Sequence, residues 1–155
     1  MSTEIERKFL VKNSQWKESV ISESRMKQGY LANQRNASIR IRIAKGKARL
    51  TVKGATTGIS RPEFEYEVPL QDAETMLDQV AEKPLIEKTR YRVQSGTHVW
   101  DLDVFSGENA GLIIAEVELE SEEEKFEIPS WTGDEVSSDP RYYNASLVKH
   151  PFKRW

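Results

Sequence analysis

Residues 4–11 read Glu-Ile-Glu-Arg-Lys-Phe-Leu-Val, and this stretch predicts a strand with two unlike faces. Successive side chains of a strand point to opposite sides of the sheet. Ile5 and Phe9 therefore share one face, whereas Glu4, Glu6 and Lys8 share the other. A face that carries charges of both signs needs either bulk solvent or an enclosed polar site.

The same alternation recurs along the chain and predicts a mainly β protein. The turn at Lys45-Gly46-Lys47 predicts a tight hairpin, and Gly29 indicates a bulge or a close backbone approach. No linker, repeat or low-complexity segment interrupts residues 1–155, so we predict a single domain. The predicted strands span residues 4–11, 25–32, 37–44, 47–53, 61–68, 87–93, 98–105 and 112–120.

Three helices are predicted beside these strands. They are a short one over 14–20, one of about a dozen residues capped by Asp72, and one over 141–149. About eight strands are enough to close a barrel. A sandwich with one wet face would show the same alternation, so periodicity leaves these two architectures open.

Composition excludes several classes of protein. The 155 residues carry 23 Lys and Arg against 25 Asp and Glu, a net charge of -2, which argues against a nucleic-acid-coating protein. The chain has no cysteine, which excludes disulfides, thiolate zinc sites and cysteine nucleophiles. No apolar run approaches the ~20 residues that span a bilayer, and the charged N-terminus lacks a signal-peptide core. We therefore expect a cytoplasmic protein with no membrane or nucleic-acid partner.

Paired carboxylates recur as Glu-x-Glu at three places in the predicted strands. Two carboxylates on one strand face lie ~7 Å apart and repel by roughly 2 kcal/mol at an effective dielectric constant of ~20. Water screens that repulsion on an open face, but an enclosed site needs cations, and hard oxygen ligands suit Mg²⁺ or Mn²⁺. The paired residues are Glu4, Glu6, Glu63, Glu65, Glu116 and Glu118, and Asp103 adds a seventh acidic residue if all these strand faces point into one lumen.

A basic set repeats the same spacing on other strands. Arginine forks and lysine ammonium groups bind phosphoryl oxygens, so a lumen lined by both sets would suit a metal–phosphate complex. The alternative is an ordinary solvated face, which commonly carries Glu, Lys and Arg. The basic residues are Lys8, Arg40, Arg42, Lys53, Lys88 and Arg90.

The order of these motifs resembles the CYTH superfamily, also called triphosphate tunnel metalloenzymes, and especially its small bacterial inorganic triphosphatases. Glu-x-Glu-x-Lys at 4–8 is similar to the family signature, and Ile-Arg-Ile-Arg at 39–42 is similar to its paired-arginine strand. The similarity continues through Gln-Gly-Tyr-Leu at 28–31, Thr-Val-Lys at 51–53, residues 61–67, Glu-Lys-Thr-Arg-Tyr at 87–91, residues 103–107 and 111–118, and the closing segments 133–136 and 141–144.

The resemblance implies an eight-stranded antiparallel closed β-barrel with flanking helices, whose charged tunnel binds a triphosphate with a divalent metal, Mg²⁺ or Mn²⁺. It implies that Glu63, Glu65 and Lys8 are catalytic and that Tyr142 and Asn144 lie at one closed end of the tunnel. The implied phosphate ligands are Lys8, Arg40, Arg42, Lys53, Lys88 and Arg90. The implied metal ligands are Glu4, Glu6, Asp103, Glu116 and Glu118.

The function implied is hydrolysis of a terminal phosphoanhydride of inorganic triphosphate, a small-molecule substrate. The family also offers thiamine triphosphate hydrolysis and class IV adenylyl cyclase activity, and a non-catalytic module that binds polyphosphate or nucleotide is the alternative outside enzymes. The chain carries no evident insert or aromatic platform for an organic group, which favours the inorganic substrate. The resemblance also allows a homodimer, although no interface is legible in the sequence.

Overall fold

A computed structural model describes residues 2–34 and 36–155. These residues form nine strands, two α-helices and four short 3₁₀ segments. The strands are β1 Ser2–Val11, β2 Val20–Gln34, β3 Ala37–Ala44, β4 Lys47–Gly54, β5 Ser60–Val68, β6 Ile86–Ser95, β7 His98–Ser106, β8 Ile113–Glu118 and β9 Thr132–Glu135. The helices are α1 Leu70–Gln79 and α2 Asn144–Lys149, and the 3₁₀ segments are Gln15–Ser19, Gly107–Asn109, Pro140–Tyr142 and Phe152–Arg154.

Eight strands close into an antiparallel barrel in the order β5-β4-β3-β2-β6-β7-β8-β1. Closure depends on β1, which pairs with β8 through Glu6–Leu10 and with β5 through Ser2–Ile5. Every paired edge is antiparallel, and the ring leaves no open edge among these eight strands. The closed barrel predicted from the family resemblance is confirmed, and the sandwich alternative is excluded.

Strand β1 also holds β9, which the alternation pattern does not predict. Residues 132–135 follow β5 along the same edge of β1, because the Glu6 amide donates to Ile59 O and Lys8 O accepts from the Val136 amide. The opposite edge of β1 faces β8, where Ile5 O accepts from the Leu119 amide. A four-residue strand with Gly and Asp at its centre is too short and too polar to show a period-two pattern.

The connection between β3 and β4 is the predicted two-residue hairpin. Lys45 has φ 53° and Gly46 has φ 74°, the pair of positive values that a type I′ turn requires. This turn fixes the register in which Arg42 faces Arg49 and Arg40 faces Thr51. The cross-strand partners of the basic residues on β3 are therefore set by local turn geometry.

The apolar core lies mainly outside the barrel wall, because the lumen is charged. Outward-facing Phe9, Trp100 and Val117 pack with Trp16 and Trp131. Helix α1 covers Ile41 and Ala48 on the adjoining part of the wall. None of the helices in 2–34 and 36–155 combines the length and apolar composition that crossing a bilayer requires.

One end of the lumen is filled by apolar side chains and α2. Ile86, Phe105 and Ile114 continue the lumenal face of their strands beyond the charged residues, and they pack against Leu147 and Val148 of α2. The lumen therefore has an apolar floor at this end, and the charged residues lie beyond that floor.

Two predicted helices need correction. Helix α1 begins after Pro69 and ends at Gln79, and Asp72 lies in its first turn, where a carboxylate favours the helix dipole, instead of capping it. The predicted helix over 141–149 is broken at Tyr143, whose extended backbone (φ -70°, ψ 137°) separates the 3₁₀ turn from α2.

Gly29 tests how tightly α1 and its following segment sit on the barrel. A Cβ at Gly29 would lie 2.8 Å from Ala81 Cβ and 2.8 Å from Leu85 Cδ2, which confirms the predicted close approach. We expect Gly29→Ala to lower the free energy of unfolding by about 1–3 kcal/mol through overpacking, measured by urea denaturation. Gly133→Ala is the control, since its Cβ would meet nothing nearer than 3.5 Å, and equal stability of the two variants would contradict this packing.

Candidate active site

The barrel encloses one polar cavity of about 270 Å³ that collects nearly all the predicted site residues. Every predicted site residue lines it except Asp103, and two residues without a predicted role in binding or catalysis, Asp101 and Asn144, join them. The lining residues are Glu4, Glu6, Lys8, Arg40, Arg42, Lys53, Glu63, Glu65, Lys88, Arg90, Asp101, Glu116, Glu118 and Asn144.

Strand register brings opposite charges face to face in this cavity. Lys8 lies opposite Glu116 in the β1–β8 pair, and Lys53 lies opposite Glu63 in the β4–β5 pair. Directly opposed residues on one sheet face have Cβ atoms about 5 Å apart. Lys8 and Lys53 therefore face the lumen beside carboxylates, whereas Glu6 lies opposite another carboxylate, Glu118.

The acidic wall, formed by Glu4, Glu6, Glu116 and Glu118, holds more negative charge than the neighbouring cations neutralise. Burial, followed by repulsion from Glu116 and Glu4, raises the pKa of Glu6 well above its usual range. Burial also raises the pKa of Glu118, with repulsion from Glu4 adding to it. A cation held between these carboxylates would relieve their mutual repulsion.

The pKa of the neighbouring Glu116 is shifted in the opposite direction. Burial acts to raise its pKa, but Lys8 and a hydrogen bond with Glu6 bring the pKa well below the usual range. The Lys8 ammonium lies 3.5 Å from a Glu116 carboxylate oxygen. Together the Glu6 and Glu116 carboxyls form a hard oxygen site, which fits a divalent ion such as Mg²⁺ or Mn²⁺. No three acidic or histidine side chains of 2–34 and 36–155 are already drawn around a single point, so the site is an open wall of carboxylates.

The basic wall, formed by Arg40, Arg42, Lys88 and Arg90, holds more positive charge than the neighbouring carboxylates neutralise. Burial, together with repulsion from Arg40 and Arg90, lowers the pKa of Arg42 to about 9. Burial lowers the pKa of Lys88 to about 7, against the attraction of Asp103 and with repulsion from Arg90 and Arg42. The buried Nε of Arg40 has no partner among the described residues. Such a cluster of cations is completed by a polyanion.

Asp103, predicted as a metal ligand, is the one predicted site residue that does not line the cavity. It is buried behind the cavity wall, where Oδ1 accepts from Arg90 Nε at 2.8 Å and Oδ2 accepts from Lys88 Nζ at 2.7 Å. A second Arg90 nitrogen reaches Oδ2 at 3.0 Å, and these contacts hold the pKa of Asp103 below its usual range although burial opposes them. Asp103 thus holds two cavity-lining cations in place, and Asp101 is the aspartate that reaches the cavity.

Glu4, another predicted metal ligand, is also paired with two cations. Lys53 Nζ donates to its two oxygens at 3.1 and 3.0 Å, and Arg61 Nε donates to Oε1 at 3.1 Å. Arg61 is opposite Glu4 in the β1–β5 pair. Arg61 and Glu63 are two residues apart on β5 and therefore share its lumenal face. This spacing could have identified Arg61 as a lumenal residue from the sequence.

The closed end of the cavity is formed by backbone and amide groups. Asn144, the first residue of α2, accepts at Oδ1 from Lys88 Nζ at 2.9 Å. Tyr142 contributes its carbonyl oxygen, 3.5 Å from Lys8 Nζ, while its ring packs against Trp155. The implied placement of both residues at this end agrees with the structure, but only Asn144 presents a side chain to the cavity.

The family comparison agrees with this geometry. Residues 2–151 match the model of the CYTH domain. The chain belongs to the CYTH family. The resemblance inferred from the sequence is thereby confirmed.

Curated CYTH relatives match over nearly their whole length. An inorganic triphosphatase of Acetivibrio thermocellus is 46% identical over 155 residues, which cover 100% of this chain and 99% of the relative. An inorganic triphosphatase of Nitrosomonas europaea is 36% identical over 151 residues, or 94% of this chain and 97% of the relative. A solved inorganic triphosphatase structure superposes with a TM-score of 0.69 at 33% identity and covers 96% of this chain and 95% of its own. Triphosphatases of the CYTH family are generally metal-dependent.

The support that Asp103 gives to this CYTH lumen can be measured as stability. Asp103→Asn leaves Lys88 and Arg90 buried without their carboxylate, and we expect the free energy of unfolding to fall by about 3–5 kcal/mol at pH 6. The deficit should shrink at pH 9. Lys88 has a folded pKa near 7, below its unfolded value, and loses its charge as the pH rises, so its share of the penalty disappears.

Urea denaturation at the two pH values measures this effect. Glu135→Gln is the matched control, because Glu135 pairs with Arg7 on the partly exposed outer face and should cost no more than about 1 kcal/mol. Equal losses in the two variants would contradict a supporting role for Asp103.

Proposed function

We propose that this protein hydrolyses inorganic triphosphate to pyrophosphate and orthophosphate, with Mg²⁺ or Mn²⁺, inside the barrel. One observation carries the proposal. The same cavity has an acidic wall with excess negative charge and a basic wall with excess positive charge. The names of both curated relatives, inorganic triphosphatase, support the same substrate.

The basic wall would bind the substrate. Arg42 and Arg90 offer guanidinium groups that can bind two oxygens at once, and Lys88 offers a compact ammonium. These groups lie along the lumenal faces of β3 and β6, which β2 joins. A linear chain of phosphates held by them would present one terminal phosphoryl group to the acidic wall. The full proposed set is Lys8, Arg40, Arg42, Lys53, Lys88 and Arg90.

The acidic wall would hold the metal through Glu4, Glu6, Glu116 and Glu118. A divalent ion bound there supplies Lewis-acid polarisation of phosphoryl oxygens and lowers the pKa of water. Lys8, beside Glu116, neutralises charge between the two walls. Its ammonium is then placed to contact a phosphoryl oxygen at the boundary.

Glu63 and Glu65 would act on the attacking water. Burial and repulsion from Glu4 raise the pKa of Glu63, which makes its carboxylate a better proton acceptor near neutral pH. Burial also acts to raise the pKa of Glu65, but hydrogen bonds from Arg49 and Thr51 lower it, so Glu65 stays ionised and orients its neighbours. Water attacks the terminal phosphorus as its proton passes to Glu63, and the P–O bond to pyrophosphate breaks.

The cavity favours an inorganic substrate over the other triphosphates of the family. Its lining is charged apart from the amide of Asn144, with no aromatic or aliphatic surface on which thiamine or adenine could stack. Its volume of about 270 Å³ suits a small polyanion. The expected cytoplasmic location, single-domain organisation and homodimer stay predictions.

A direct assay distinguishes the candidate functions of this site. We expect rapid phosphate release from inorganic triphosphate with Mg²⁺ or Mn²⁺, little release from ATP or thiamine triphosphate, and none after addition of EDTA. Formation of cyclic AMP and pyrophosphate from ATP would favour a cyclase instead. Triphosphate binding by calorimetry without release under any condition would leave a binding module.

Substitution of lumenal charges tests the site assignment. Glu4→Ala, Lys8→Ala and Arg42→Ala should each lower kcat/KM for triphosphate by about a hundredfold or more, since each removes a group aimed at the reacting charges. Circular dichroism should show a retained barrel. Arg7→Ala is the matched control, because Arg7 adjoins Lys8 but pairs with Glu135 on the outer face. Near-normal turnover in all three lumenal variants would refute the assignment.

A further inference from the structure

A buried amide, Gln28, lies behind the basic wall without lining the cavity. Its side chain has no exposed surface, and both ends of its amide are engaged. Gln28 Oε1 accepts from Arg42 Nε at 2.7 Å, and Gln28 Nε2 donates to Asn144 Oδ1 at 3.1 Å. Asn144 Oδ1 accepts in addition from Lys88 Nζ at 2.9 Å.

The two ends of this chain of contacts fix the orientation of both amides. Arg42 and Lys88 can only donate hydrogen bonds. Asn144 must therefore present its oxygen to Lys88. The same oxygen also accepts from the Gln28 NH₂ group. Gln28 must then present its own oxygen to Arg42. Reversing either amide would set donor against donor, so the network has one satisfied arrangement.

The choice of a neutral acceptor matters for Arg42. In the described part of the chain Arg42 makes no ion pair, and its one side-chain hydrogen bond is to Gln28. The other lumenal guanidinium groups, Arg40 and Arg90, have carboxylates within 4.0 Å. Gln28 therefore holds the Nε edge of Arg42, leaves the terminal nitrogens available, and does not neutralise its charge.

Asn144 connects this arrangement to the segment that closes the barrel. It begins α2, whose Leu147 and Val148 pack into the apolar floor of the lumen. Its Nδ2 has no partner among the described residues, and Asn144 lines the cavity. The amide therefore ties the position of α2 to the positions of two substrate-facing cations on β3 and β6.

We propose that Gln28 and Asn144 are positioning residues, an amide relay that aims Arg42 and Lys88 at the phosphates of the substrate while leaving the charge of Arg42 uncompensated. The proposal rests on the proposed function, since it concerns the binding of triphosphate. It assigns the relay to substrate affinity, because the acidic wall and the side of the attacking water are not touched by either amide.

Two substitutions at Gln28 distinguish positioning from packing. Gln28→Met keeps the approximate shape of the side chain and removes both hydrogen bonds. Gln28→Glu keeps the shape and an acceptor for Arg42, but it places a negative charge beside that guanidinium and offers Asn144 no donor. A packing role predicts that Gln28→Glu is the milder change. The relay predicts that it is the more severe one for triphosphate affinity.

The measurements are the Kd of triphosphate by calorimetry in EDTA and the KM and kcat of hydrolysis with Mg²⁺ or Mn²⁺. We expect Gln28→Met to raise Kd and KM by roughly tenfold, the order of one charge-assisted hydrogen bond. Gln28→Glu should raise both further, and kcat should change less than about threefold in each variant. In the double variant Gln28→Met/Asn144→Ala the effects on Kd should be less than additive, because both changes break one network.

Asn33→Ala is the matched control. Asn33 ties the same strand to the same segment, since its Nδ2 donates to Ala145 O at 2.9 Å, but its side chain contacts no lumenal cation. We expect it to lower the melting temperature and leave Kd and KM unchanged. Unchanged Kd and KM in both Gln28 variants, or fully additive effects, would overturn the relay while wild-type hydrolysis still upheld the proposed function. A wild-type protein that neither binds nor hydrolyses triphosphate would overturn both.

Discussion

Mutual compensation of buried charges is the constraint on which this barrel depends. A single ionised group in a closed lumen would cost several kcal/mol in lost hydration. Here each strand that brings in a charge is met by a partner of opposite sign, as Asp103 meets Lys88 and Arg90 or Glu4 meets Lys53. The antiparallel register that closes the barrel thus also brings buried charges of opposite sign together, which lowers the free-energy cost of burying them.

That constraint moves the apolar core to the outside of the wall. With the lumenal face charged, hydrophobic stabilisation has to come from the outward face, and Phe9, Trp100 and Val117 are buried there under the segments that carry Trp16 and Trp131. Helix α1 does the same for Ile41. The segments around the barrel supply the burial that holds the charged lumen closed.

Alternation along single strands was enough to place Glu6, Arg42 and Lys88 on the polar faces of their strands, because a strand has only two faces. The family resemblance was needed to bring those faces into one lumen, and neither signal ranked the members of the site. Asp103 has the same parity, yet cross-strand pairing with Arg90 takes it out of the cavity, and that pairing is not legible in one strand. Gln28 and the role of Asn144 escaped because neutral amides carry no charge pattern, and β9 escaped because four residues show no period.

The charges in this lumen are not fully paired with one another, and the unpaired charges indicate which ligand the lumen would bind. Arg42 keeps a charge that no carboxylate of the described residues pairs with, and burial together with repulsion from Glu116 and Glu4 raises the pKa of Glu6. A polyanion alone would satisfy Arg42 and worsen the repulsion at Glu6, whereas a cation alone would do the reverse. A phosphate chain carrying a divalent ion satisfies both walls at once, so the two excesses favour the binding of substrate and metal as a pair.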